Sequence, residues 1–171
     1  MHSIIQDVKV NNIKMGKYEI TLWDLLIVVG GLLAFISFFL TWSKAGNFNI
    51  TGMDFIGNKL NGLNVTNGYT FYGKIPLLVM LLGIAAIVLG ILPTFNVGPK
   101  GVKIAAGVVS IVMLVFAIIF LVKGGSSDIF ANQFNQALYR ESVSLKFGAI
   151  LAFIASIIAT VGGVMTIKEA M

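Results

Sequence analysis

The chain contains no cysteine. That excludes disulfides, thiolate metal sites, iron–sulfur clusters and thiol nucleophiles together, so every loop must hold its shape by packing and hydrogen bonds alone. Histidine is almost as scarce: the single residue, His2, stands beside Met1, which sets aside a histidine-ligated metal or haem. Charge is the third shortage. Only 11% of the 171 residues are Asp, Glu, Lys or Arg, against roughly 25% in an ordinary soluble domain. Hydrophobic residues make up 57% and the mean hydropathy is +0.94, so most of the surface must face something other than water. The net charge of +5 comes from lysines spread over tails and loops, without a basic run interleaved with aromatics. Nucleic acid is therefore not the expected partner; basic flanks that anchor helices near anionic head groups are.

What the chain does have is four apolar runs, at 21–42, 75–95, 102–122 and 147–167. Each is close to the ~20 residues a helix needs to cross ~30 Å of hydrocarbon. None carries a charge at its centre, where insertion would cost about 2.5–3.5 kcal/mol. Helices satisfy their own backbone groups in lipid, so the runs read as spans. Residues 1–20 are mixed and polar, and the apolar stretch after them is longer than a signal peptide's core, which makes it an uncleaved first span. The expected fold is all-α: a four-helix transmembrane bundle (21–171) behind a cytoplasmic tail (1–20), with outer loops at 43–74 and 123–146.

Orientation follows from the short flanks. Lys9, Lys14, Lys17, Lys100, Lys103 and Lys168 fall on one side, and Lys44, Lys59, Lys74, Lys123, Arg140 and Lys146 on the other. The first set is concentrated in shorter segments, and the rule weighs short flanks most, so both termini are expected in the cytoplasm of a multi-pass cell-membrane protein. The sequons Asn49-Ile50-Thr51 and Asn64-Val65-Thr66 both lie in the 43–74 loop, the outer side in this orientation, making Asn49 and Asn64 candidate N-glycosylation sites.

The first outer loop carries strand signals. Asn67-Gly68 supplies two residues tolerant of positive φ between Val65-Thr66 and Tyr69, Phe71 and Tyr72, which predicts a β-hairpin over 62–73. Asn47 to Thr51 alternates polar and apolar residues and could add a third strand, which an otherwise marginal hairpin needs. Between them Phe55, Ile56 and Leu60 suit a short helical turn. In the second loop Ser126, Ser127 and Asp128 form a helix-start cluster, followed by Ile129, Phe130, Phe134, Ala137 and Leu138 at helical spacing. A short amphipathic helix is expected there.

Few residues could carry chemistry. Asp24 is the one acid inside a run, in the first turn after Thr21 and next to Trp23, where a carboxylate favours a helix N-terminus at interfacial depth. Trp23 and Trp42 read as interfacial residues at the two ends of the first span. The outer acids Asp54, Asp128 and Glu141 could act together only if the two loops converge. Pro93 should help end the second span. The fourth run carries Gly148, Ala152, Ser156 and Thr160 at four-residue spacing, with Ala155, Ala159 and Gly163 on an adjoining row. Gly30 with Ala34, Ala86 with Gly90 and Ala106 with Ser110 repeat the spacing in the other runs. Such stripes let helix backbones approach closely in lipid, and the double row leaves room for a partner helix.

FFLTW (38–42) followed by ITGMDFIG (50–57) resembles small four-span proteins of bacteria and archaea, in which an aromatic helix end with a tryptophan leads to a Gly-x-Asp or Gly-x-Ser turn. The plan is also similar to the claudin-type tetraspans, whose first outer loop is the larger and has β character. The Trp-Gly-Leu-Trp segment and cysteine pair of that group are absent, so the resemblance implies topology and no activity. A non-catalytic accessory or scaffold subunit of a membrane or envelope complex is the expected function, with other membrane subunits and lipid as partners, self-association possible and no cofactor. An oligomeric channel or transporter component is the alternative, and a membrane enzyme acting on lipid-linked substrates the third.

Overall fold

The computed structural model describes residues 13–15, 18–65, 67–95 and 99–170. Most of the expected inner tail, including His2 and Lys9, lies outside the described residues, as do Thr66 of the second sequon and residues 96–98.

The chain is mostly helical. Helices α3 (Ile75–Ile91), α4 (Pro99–Lys123) and α6 (Phe147–Ala170) cover three of the four apolar runs. A 3₁₀ turn, Phe71–Lys74, leads into α3 and makes a continuous 21-residue helical segment, Phe71–Ile91. With mean hydropathies of 2.5, 3.0 and 2.3, these three are long and apolar enough to cross a membrane. After Ile91 the chain tightens into 3₁₀ geometry over Leu92–Phe95, where Pro93 has no N–H to continue the α-helical ladder.

The first run departs from expectation. Helix α1 spans Leu22–Ser37 only, 16 residues, or about 24 Å of rise. Its start is capped as expected: the Thr21 hydroxyl accepts the Asp24 N–H. Its end is earlier because Phe38, Phe39 and Leu40 turn away and Thr41–Ala45 forms strand β3. The β-branched and aromatic residues of this stretch suit a pleated surface better than a helix end. The Trp42 indole N–H donates to the Ser37 carbonyl at 2.7 Å, and the Gly52 amide to the Phe38 carbonyl at 3.0 Å, so two of the final carbonyls are satisfied from outside the helix.

The four long helices pack as a ring in which α6 lies between α1 and α4, and α3 closes the circuit from α1 to α4. Small residues make the crossings. A Cβ on Gly31 would sit 2.5 Å from the Gly83 carbonyl oxygen, and one on Gly30 would sit 2.6 Å from the Ala155 carbonyl oxygen. Gly163 meets Gly107 in the same way. The outward faces carry Val, Ile and Leu, such as Leu32, Leu81, Val108, Val115, Ile154 and Val161.

One end of the ring carries a small mixed cap. Strand β3 pairs antiparallel with β4 (Phe48–Thr51) on one side and β7 (Val143–Leu145) on the other, so the third strand comes from the second loop. The register shifts between Thr41 and Ser43, leaving Trp42 as the extra residue of a bulge and turning both Trp42 and Ser43 inward. Helix α2 (Gly52–Gly57) follows β4 through a reciprocal capping box between Thr51 and Asp54, an arrangement worth about 1 kcal/mol. The hairpin itself lies one Asn-Gly pair earlier than expected. Strands β5 (Lys59–Leu60) and β6 (Leu63–Asn64) turn at Asn61 and Gly62, both at positive φ. Asn67 and Gly68 also take positive φ, but the residue after them, Tyr69, bridges to Phe130 of the second loop. In that second loop the expected amphipathic helix is reduced to a 3₁₀ turn, Ser127–Ile129, and α5 (Gln133–Leu138), capped by Asn132. At the opposite end of the chain's ring, β1 (Ile13–Met15) pairs with β2 (Tyr18–Ile20).

Candidate functional site

The two loops form a single unit. Besides the β3–β7 pairing and the Tyr69–Phe130 bridge, the Thr70 hydroxyl donates to the Asp128 carbonyl and the Ser43 hydroxyl to the Gly124 carbonyl, each at 2.7 Å. The Gly46 amide reaches the Ser142 carbonyl and the Lys146 amide the Trp42 carbonyl. Aromatic rings fill the interior. Trp42 meets Phe120 edge-on at 5.0 Å, Phe55 meets Tyr69 at 4.7 Å, and Phe130 stacks on Tyr139 at 5.1 Å. Phe120 belongs to α4, so this interior is continuous with the helix ring. Trp42 is fully buried at its centre.

Burial pushes the Tyr69 hydroxyl well above the usual tyrosine range, helped by the nearby Asp54 and Tyr139; its proton is held by the Lys59 carbonyl at 2.6 Å. The loops do converge, but the acids are engaged locally: Asp54 caps α2, and Asp128 lies 3.4 Å from the Lys123 ammonium. Glu141 is exposed. Among the described residues no three His, Asp or Glu side chains come together as a metal site would require. Asn49 and Asn64 are both exposed on the cap, and Asn64 accepts a hydrogen bond from the Lys59 ammonium.

A shallow cavity of about 200 Å³ lies between β4, the β5–β6 hairpin and α5, lined by Phe48, Leu63, Asn64, Asn135 and Tyr139 among others. Around it the cap exposes large apolar side chains: Leu63 at 72%, Phe134 at 73% and Leu138 at 58%.

The double row of small residues on α6 packs inside the chain. Gly148 lies against Thr41 and Trp42, and Ala155 and Ala159 against Gly30. Ala152 and Ser156 are buried, with the Ser156 hydroxyl turned back to the Ala152 carbonyl. The Thr160 hydroxyl crosses to the Ser110 carbonyl of α4 at 3.1 Å, and Gly163 meets Gly107. Those faces are therefore occupied by α1, α4 and β3, and the room for a partner helix expected from the sequence is filled within the monomer.

At the far end of the ring stands a polar cluster that spacing alone does not reveal. Asp24 is only 2% exposed. The Thr21 hydroxyl donates to Asp24 Oδ2 at 2.9 Å, and Lys103 Nζ of α4 lies 4.0 Å from the same oxygen. Lys103 is closer to Glu169 of α6, at 3.1 Å. The Thr166 hydroxyl, also on α6, lies beside the Asp24 carboxylate. Next to it Trp23 is half-buried, its carbonyl packed against Gly162. Asp24 was visible as an unusual acid; Lys103, Thr166 and Glu169 lie far along the chain, and only the ring packing brings them together.

No protein-family model, curated protein or solved structure matches this chain.

Proposed function

We propose that the chain crosses a cell membrane four times, with α1 as a short first span and both termini in the cytoplasm, and that it is a non-catalytic accessory or scaffold subunit of a membrane or envelope complex. The observation that carries this reading is the fusion of the two loops into one aromatic-cored cap built on the helix ends. A surface held this way keeps its shape without disulfides, which a docking platform outside the cell requires. Leu63, Phe134 and Leu138 give the cap exposed apolar side chains suited to a partner. Partners meet the cap and the lipid-facing sides of the ring, since the small-residue faces of α6 are occupied. Four helices closing one ring support a first crossing by α1, whose shortness is a mismatch a bilayer accommodates by local thinning. The exposure of Asn49 and Asn64 on the cap suits them to glycosylation.

The test is mild extraction from the native membrane, followed by complex mass and identification of the co-purifying chains. Stoichiometric association with other subunits is expected. A homogeneous small homo-oligomer without partners would overturn the scaffold reading. It would favour the second one, an oligomeric channel or transporter component, which the polar cluster around Asp24 supports.

A further inference from the structure

Two oxygens of the Asp24 cluster are buried without a hydrogen-bond partner among the described residues: Asp24 Oδ1 and Thr166 Oγ1. They belong to different helices, and their residues are 2% and 0% exposed. An unpaired polar atom is costly in such a place, and here a carboxylate oxygen and a hydroxyl stand near each other with neither satisfied. The other carboxylate oxygen is accounted for: the Thr21 hydroxyl holds Oδ2, and Lys103 approaches that oxygen and not Oδ1.

The charges point the same way. Asp24 and Glu169 share one ammonium, Lys103, which sits 3.1 Å from the half-exposed Glu169 and 4.0 Å from the buried Asp24. These are the charged groups that face Asp24 from α4 and α6. Helix α3 meets this turn of α1 through Gly90, which brings no charge. The trio is one positive charge short, and the shortfall falls on the most buried member, where the low dielectric makes it cost most. A water molecule would supply hydrogen bonds but no charge. An anion would meet the Asp24 carboxylate, and a divalent ion would find one carboxylate with an ammonium beside it.

We propose that Asp24 Oδ1 and Thr166 Oγ1 form a site for a small monovalent cation, either a proton or an alkali-metal ion, and that Lys103 pairs fully with Glu169 when the site is filled. The carboxylate neutralises the charge, and the threonine hydroxyl turns a lone pair towards an alkali ion or accepts the proton's hydrogen bond. The site locks α1 to α6 at the end of the ring remote from the cap.

The intact protein in nanodiscs is melted in sodium, potassium or lithium chloride, with choline chloride at equal ionic strength as the control, and then in choline alone from about pH 8 to pH 5. A saturable rise in Tm with one alkali ion, roughly 5–10 °C at a hundredfold excess over Kd, and its loss in Asp24→Asn and Thr166→Val, identifies an alkali site. A rise on acidification alone, lost in Asp24→Asn, identifies a proton site. In Lys103→Gln, which removes the competing ammonium, either response moves to about tenfold lower cation activity. If Asp24→Asn does not fold, Thr166→Val and Lys103→Gln carry the alkali test and Lys103→Gln the proton test. A Tm indifferent to both alkali ions and acid overturns the proposal, as does a Lys103→Gln protein that is merely less stable with no gain in response.

Discussion

The cap and the helix ring solve the same packing problem with opposite materials. The cap buries Trp42, Phe55, Tyr69 and Phe130, with the half-buried Tyr139 stacked on Phe130. The ring brings Gly30, Gly31, Gly83, Gly107 and Gly163 into backbone contact and exposes many of its Val, Ile and Leu side chains, such as Leu32, Val108 and Val161. In water a large ring gains free energy by leaving solvent, so bulk goes to the inside. In lipid that gain vanishes, because hydrocarbon welcomes a leucine as readily as another helix does, and closeness of approach becomes what holds helices together. Phe120, on α4 but beneath Trp42, lies where the two kinds of packing meet.

The largest break in this comparison is expected from Gly30→Leu. The added side chain has no space against Ala155 and Ala159, so α1 should leave α6 and the monodisperse folded protein be lost in size-exclusion chromatography. Val29→Leu adds bulk one residue away on the exposed face and should change stability by less than about 0.5 kcal/mol. In the cap the sign of the volume effect reverses. Trp42→Ala should cost about 3–5 kcal/mol in reversible unfolding, through the cavity it opens against Phe120.

Hydrogen bonds sharpen the contrast at a smaller scale. Ser43→Ala strands the Gly124 carbonyl inside the cap and should cost about 1–3 kcal/mol. Thr160→Val removes a bond to the Ser110 carbonyl between α6 and α4 and should cost about 0.6 kcal/mol, the average of such bonds between membrane helices. The smallest effect at working pH belongs to Tyr69. Its hydroxyl is held protonated by burial, so above the ordinary tyrosine value the unfolded chain loses a proton that the folded one keeps. Stability should be unaffected near neutrality and fall as pH rises through the alkaline range, and Tyr69→Phe should flatten that fall in a pH series of melts.

The helical part of the ring was legible because period and length are local properties: the runs at 75–95, 102–122 and 147–167 mark their helices to within a few residues. The cap was legible only in kind. The chain offers two Asn-Gly pairs in succession, both of which take positive φ, and which one closes a hairpin is decided by a distant partner: Phe130 claims Tyr69. The early end of α1 has a similar origin. FFLTW is apolar enough to extend the run, but Trp42 finds its place under α4 and beside β7, which no window around residue 42 contains. For the polar cluster, Asp24 and its Thr21 cap could be read locally, whereas its burial depends on α4 and α6 arriving from the other half of the sequence.

The absence of native cysteine makes the central claim, a four-span chain with its cap outside, directly testable by single-cysteine labelling in intact cells. With a membrane-impermeant maleimide, Leu63→Cys and Phe134→Cys should label at once, and Ser3→Cys and Lys168→Cys only after the membrane is opened. Labelling of Ser3→Cys together with Leu63→Cys in intact cells would contradict the account, leaving α1 on one side of the membrane and three crossings in place of four.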